Sequence, residues 1–128
     1  MPRFSNRSLT QLDSCEPDLR RLFFEVINHW DCTVIEGQRT EEQQEENVRR
    51  RVSQTMYSKH LFDPSQAVDV APYPIDWNDL ERFRAFGGFV LGVASQMGIP
   101  IRWGGDWDGD RKFKDQSFID LPHFELVL

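Results

Sequence analysis

The chain predicts an α+β domain in which a small, mostly antiparallel sheet is covered by helices. Three observations predict it. Apolar residues recur three and four apart over 19–30 and again over 80–97, the period of an amphipathic helix. Short β-branched or alternating runs lie at 33–36, 67–71, 99–103 and 123–127, bounded by glycine, proline and polar residues. The order that results is helix, strand, helix, loop, strand, helix, strand, loop, strand, which suits a small sheet with helices laid against it.

Residues 5–12 are polar apart from Leu9 and Leu12 and form either a loop or a short helix. Pro17 can open a helix at its first turn. Leu19, Leu22, Phe23, Val26, Ile27 and Trp30 then mark one buried face, with the helix ending near Trp30-Asp31. His29 lies on this helix without a neighbouring ligand and reads as structural or exposed. Thr33 to Glu36 is a strand that Gly37 ends. Thr40 with Gln43 three residues on is a capping-box pattern, so a helix starts there and runs to about Val52. Arg39 stands at the junction of strand and helix, where binding residues are often presented. Its plainer reading is a surface arginine paired with a nearby glutamate.

Residues 53–65 read as a polar loop carrying Ser58 and His60. Ala67-Val68-Asp69-Val70-Ala71 is an apolar strand with an acid at its centre. An unpaired acid in a buried strand costs about several kcal/mol, which metal coordination removes; otherwise Asp69 faces solvent from an edge strand. Pro72-Tyr73-Pro74 ends the strand. Asp76 is expected to cap a helix from Trp77 onward, with Leu80, Phe83, Phe86, Val90, Leu91, Val93, Ala94 and Met97 as its apolar positions and Gly98 as its C-cap. Gly87, Gly88 and Gly92 each cost about 1 kcal/mol against alanine inside a helix, which points to close approach by another element. A strand at 99–103 leads into the glycine-rich acidic loop 104–110. Asp106-x-Asp108-x-Asp110 resembles the start of a calcium loop but lacks the glycine at its sixth position (Arg111) and the glutamate at its twelfth (Ser117). After a further loop at 115–120, residues 123–127 alternate and form the last strand.

At 128 residues the chain is long enough for one domain with one compact core, spanning 1–128. A net charge of −6 argues against nucleic acid as a partner. The one basic run, Arg49-Arg50-Arg51, follows the acidic stretch 41–46 at helical pairing distances. No apolar run approaches the ~20 residues of a membrane helix, so no membrane insertion is expected. The N-terminal residues lack the apolar core of a secretory signal, which places synthesis in the cytoplasm. Cys15 and Cys32 fit neither a zinc pattern nor CxxC and are expected to be reduced and partly buried.

Chemistry concentrates in two places. Of three histidines, His60 stands in Ser58-Lys59-His60 and His123 in Asp120-Leu121-Pro122-His123, with Asp69 between them in sequence. Imidazole and carboxylate together are a common ligand set for zinc when one coordination position is kept for water. His60, Asp69 and His123 therefore read as zinc ligands, and Asp120 as the group that works on the water.

A series of motifs extends this pattern along the chain. They are Phe4-Ser5-x-Arg7-Ser8-Leu9, Pro17-Asp18-Leu19, Glu36-Gly37-x-Arg39-Thr40 with Gln43, Ser53-x-Thr55-x-x-Ser58-Lys59-His60, Ala67-Val68-Asp69-x-x-Pro72-Tyr73, Trp103-Gly104-Gly105-Asp106-Trp107 and Asp120-x-Pro122-His123-Phe124-Glu125. In this order they resemble the phage endolysins of the zinc L-alanyl-D-glutamate peptidase type, in the metallopeptidase superfamily that includes the D-alanyl-D-alanine carboxypeptidases and dipeptidases. The resemblance implies the fold shared with the D-Ala-D-Ala (hedgehog/DD-peptidase) enzymes. It implies zinc on His60, Asp69 and His123, and Asp120 as catalytic acid/base. It also implies Arg39 at the oxyanion or a substrate carboxylate, and Ser58, Gln43 and Trp103 as substrate contacts; Trp103 and Trp107 would wall the groove or pack in the core. One departure is the gap between His60 and Asp69, which is longer than in the commonest form of the motif and makes Asp63 a rival ligand. Asp120 in place of the dipeptidases' glutamate favours the endopeptidase branch.

The expected activity is zinc-dependent hydrolysis of the L-alanyl-D-glutamate bond of the peptidoglycan stem peptide, for lysis of the host cell. The expected form is a monomeric catalytic domain without a separate wall-binding domain, held in the host cytoplasm and reaching the wall through a membrane pore. The rival readings are a carboxypeptidase that trims terminal D-Ala, a glycan-cleaving lysozyme with Glu36 as its acid, and a non-catalytic wall-binding module with structural zinc.

Overall fold

The computed structural model of the chain describes residues 2–50, 58–109 and 119–127. Ser5 accepts a hydrogen bond from the Ser8 amide and so caps α1 (Asn6–Asp13). The open alternative at the N-terminus is thereby a helix. Pro17 opens α2 (Pro17–Ile27), which buries Leu19, Leu22, Phe23, Val26 and Ile27. This helix stops short of Trp30, whose ring turns edge-on to Phe86 with centroids 5.4 Å apart. β1 (Cys32–Glu36) follows, and then α3 (Glu41–Arg49), closed at its start by the full Thr40–Gln43 capping box. The expected extension of α3 to Val52, the first part of the 53–65 loop, and the loop positions 110–118 lie outside the described residues.

A single turn of 3-10 helix at Lys59–Leu61 carries His60 and is capped by the Ser58 hydroxyl. β2 (Ala67–Pro72) leads to α4 (Leu80–Met97), then β3 (Ile101–Trp103) and β4 (His123–Leu126). α4 begins later than expected. Asp79, not Asp76, is its cap, accepting from the Arg82 amide, while Asp76 accepts from the Asn78 amide in the preceding turn. The later start leaves Trp77 outside the helix, stacked on Phe83. At the other end Gly98 closes α4 in the left-handed conformation, and the Ile99 amide still bonds back to Ala94. That bond consumes the residue expected to start β3.

The strands form a four-stranded sheet in the order β1-β2-β4-β3 with every pairing antiparallel. One face of the sheet carries the core. Val34, Val68, Val70, Phe124 and Leu126 join residues of α1, α2 and α4 there. The other face follows from strand alternation: Asp69 on β2, and His123 and Glu125 on β4, point away from that core. Register then decides the site, because Asp69 pairs with Glu36 of β1 on one side and with His123 of β4 on the other. Among the described residues no helix is long and apolar enough to cross a membrane.

Trp103 fixes the sheet to α4. It is almost fully buried, and its indole N–H donates to the Leu121 carbonyl at 2.7 Å. A Cβ on Gly87 would lie 2.3 Å from this ring, so α4 approaches as closely as it does because that position has no side chain. Gly87→Ala is expected to destabilise the fold by about 1–3 kcal/mol through overpacking, despite alanine's better helix propensity. A thermal or urea melt measures it; an unchanged or raised midpoint would mean that Trp103 can shift at no cost.

Candidate metal centre

His60, Asp69 and His123 come together on the polar face of the sheet. Each offers one ligand atom, and the three atoms lie within 4.8 Å of one another. Asp69 Oδ1 stands 3.2 Å from His60 Nε2 and 3.2 Å from His123 Nδ1. The remaining nitrogen of each ring is already engaged. His60 Nδ1 lies 2.6 Å from the Gly37 carbonyl, so that nitrogen carries the proton and Nε2 is left facing Asp69. His123 Nε2 lies 2.9 Å from Glu125 Oε1, which leaves Nδ1 facing Asp69. Outer partners that fix tautomer and ring orientation in this way are what metal-binding imidazoles use. The donor set therefore fits a metal ion, with two oriented imidazoles and one carboxylate converging from separate elements.

The electrostatics agree with that fit. Burial alone would raise the Asp69 carboxyl, but hydrogen bonds from His123 and His60 outweigh it and hold the group well below the usual carboxylate range. Burial would lower His123, yet its bonds to Asp69 and Glu125 push it up to about 9. A position that retains a proton so firmly is one where positive charge is stabilised. Asp120 stands 4.0 Å from His123 Nδ1 and is pushed up to about 6, chiefly by burial and then by the negative charge of Asp69. Its main chain is pinned by Gly104, whose carbonyl accepts the Asp120 amide at 2.9 Å. A Cβ on Gly104 would lie 2.0 Å from the Asp120 carbonyl oxygen, so only glycine permits this approach.

The family model described as phage L-alanyl-D-glutamate peptidase matches residues 1–127. The chain belongs to that family. An L-alanyl-D-glutamate peptidase of Escherichia phage T5 is 32% identical over 98% of both chains. One of Listeria phage A118 is 35% identical over 96% of this chain but only 42% of its own length, so the present chain spans less than half of that relative. Among solved structures, the L-Ala D-Glu endopeptidase ChiX of Serratia marcescens superposes with a TM-score of 0.76 at 32% identity, covering 98% of this chain and 90% of its own. The D,D-pentapeptidase VanY from a VanB-type resistance cassette, solved with Zn(II), matches at 18% identity with a TM-score of 0.52, over 99% of this chain and 74% of that one. That last likeness is one of fold.

Within the peptidase fold the other expected residues are distributed unevenly. Arg39 is buried at 7% exposure, and its guanidinium grips both Glu36 oxygens at 2.7 and 2.9 Å. Burial works against its charge, but the pairing with Glu36 and the nearby Asp69 and Asp120 carboxylates raise its pKa. The pairing also engages both oxygens of Glu36, the acid that the lysozyme reading requires. Ser58 sits beside His60 and accepts the His60 amide with its hydroxyl at 3.2 Å. Asp63 is exposed and outside the three-residue cluster. Gln43 is exposed, and its side-chain carbonyl is engaged by the Thr40 amide in the capping box. Trp103 lies in the core, whereas Trp107 packs its ring 5.3 Å from His123.

Three members of the site escaped the sequence reading. Gln44 is fully buried and accepts from Arg39 Nη1 at 2.5 Å, so the interior glutamine of α3 is the neighbour of Gln43. Glu125 holds His123 and is itself 3.4 Å from Lys59 Nζ; those bonds outweigh its burial and lower its pKa. The Gly37 carbonyl orients His60. Glu125 had a legible signal, since a residue two along a strand shares its neighbour's face. Both cysteines are buried, and burial pushes each thiol up to about 12, which suits neither a nucleophile nor a metal ligand.

Proposed function

We propose that the chain is a zinc-dependent endopeptidase that hydrolyses the L-alanyl-D-glutamate bond of the peptidoglycan stem peptide. The observation that carries this reading is the meeting of three oriented donors, His60, Asp69 and His123, with Asp120 beside them. Family membership supports the choice of bond. When bound there, zinc supplies a Lewis acid that polarises the peptide carbonyl and brings the pKa of water near neutrality.

The chain's own residues do the rest. Asp120 accepts the proton of the attacking water and returns it to the leaving amine nitrogen of D-Glu. In the metal-free protein burial and the charge of Asp69 raise this carboxyl to about 6, and a nearby dication favours its ionised, proton-accepting form. Arg39, kept charged by Glu36 and fixed by Gln44, is the cation we assign to the oxyanion or a substrate carboxylate. We assign Ser58, which neighbours His60 in the 3-10 turn, as a contact for the peptide. Residues 1–128 act as one monomeric catalytic domain on the wall, which they reach through a membrane pore from the host cytoplasm.

Purified protein supplied with zinc should solubilise isolated sacculi, a chelator should stop it, and added zinc should restore it. The released material should carry a new amine on D-Glu and a new carboxyl on L-Ala with the glycan uncut. New reducing sugar ends would point to a lysozyme, and free D-Ala alone to a carboxypeptidase.

A further inference from the structure

Beside Asp120 runs an apolar groove of about 490 Å³ that the proposed chemistry does not use. Trp77, Leu80, Phe83, Leu121 and Pro122 line it with one cation, Arg84, and Asp120 is a lining residue too, so the groove borders the proposed base. Trp77 is 55% exposed and Leu80 46%. Large apolar side chains left in water beside a polar centre mark a binding surface more often than a defect.

The platform is also built. Trp77 stacks on Phe83 at 5.3 Å with the rings 20° apart. The loop that carries it is tied at both ends: the Arg82 guanidinium donates to the Tyr73 carbonyl at 2.6 Å and to the Pro74 carbonyl. Asp76 accepts the Asn78 amide at 3.0 Å, and Asp79 caps α4. A flat indole held in this way is pre-ordered for a ligand and loses little freedom on binding.

We propose that this groove is a glycan subsite in which Trp77 stacks against the muramic acid ring of the strand that bears the scissile peptide. The inference rests on the peptidase reading above. L-Alanine is joined through its nitrogen to the lactyl group of muramic acid, so the sugar begins about two residue lengths, roughly 7 Å, from the carbonyl under attack. Any protein that holds that carbonyl must accommodate a pyranose nearby. A pyranose presents an apolar C–H face with polar edges, which matches an exposed indole in an aliphatic groove.

The experiment compares two substrates: a free peptide beginning L-Ala-D-Glu, and the same peptide on a GlcNAc-MurNAc disaccharide. Wild type should favour the disaccharide form. Trp77→Ala should raise KM for that form by roughly tenfold, about 1.4 kcal/mol, leave the free peptide unchanged, and leave kcat unchanged on both. Trp77→Phe should restore most of the preference. Equal loss on both substrates, or no loss on either, overturns the proposal, the first by placing peptide in the groove or by reporting a fold defect. Binding of peptide-stripped glycan strands, measured without added zinc, separates this proposal from the peptidase reading. If wild type cleaves neither substrate, the peptidase reading fails, and the groove stands only if Trp77→Ala weakens strand binding.

Discussion

Asp120→Asn is expected to keep its zinc and its fold and to lose turnover by at least about 100-fold, the low end for general acid–base catalysis. The main-chain bonds that place residue 120, its amide to Gly104 and its carbonyl from the His123 amide, do not involve the side chain. Asparagine therefore occupies the same position with nearly the same shape. What it lacks is the ability to accept a proton. The proposed base can accept a proton only when ionised, so activity should fall as pH drops through the Asp120 pKa. That pKa is about 6 in the metal-free protein, raised by burial and by Asp69. A nearby dication favours the ionised form, so the acid limb of the wild-type profile should lie at or below about pH 6. Metal analysis, circular dichroism and kcat/KM on the same preparation check all three expectations. Near-normal turnover with full zinc would put the base elsewhere.

Asp69→Ala is expected to lose most bound zinc and nearly all activity, and His60→Ala and His123→Ala should do the same. Two remaining donors seldom retain the ion, since structural and catalytic sites alike use at least three protein ligands. Asp69 carries a further burden: its one oxygen faces both imidazoles at 3.2 Å, so its removal leaves two ring nitrogens without their common partner. Asp63→Ala is the control. That carboxylate is exposed and lies apart from the cluster, so its loss should leave metal content and activity unchanged. The reverse pattern, with zinc lost only from the Asp63 variant, would replace one ligand in the account.

How far the fold and site could be read beforehand depended on the range of the interactions involved. Helix periodicity, the Thr40–Gln43 box and Gly98 are local, and α3 starts and α4 ends where those signals put them, although α2 stops at Ile27, short of Trp30. Asp76 and Asp79 are both good caps three residues apart, and local chemistry alone does not choose between them. In the structure α4 starts at Leu80 and buries Phe83, Phe86 and Val90, and Trp77, left outside the helix, stacks on Phe83.

The site shows the same division. His60, Asp69 and His123 stood out as residue types beside strands, but the register that aligns Asp69 with His123 is a long-range fact. The glutamines of α3 show the cost of reading locally. Gln43 attracted attention as part of a motif, yet the capping box already occupied its carbonyl, and the turn of the helix hands the buried position to Gln44. Trp103 and Trp107 were equivalent as letters. Strand alternation puts the first on the core face, and the loop carries the second to His123.

The proposed peptidase needs one zinc ion on His60, Asp69 and His123, with Asp120 beside it as base. Anomalous scattering from crystals of the zinc-loaded protein, collected on either side of the zinc edge, tests it most directly. One strong peak is expected, bonded to His60 Nε2, His123 Nδ1 and an Asp69 carboxylate oxygen, with Asp120 near it but unbonded. A peak bound by Asp63, or one that takes Asp120 as a ligand in place of Asp69, would contradict it.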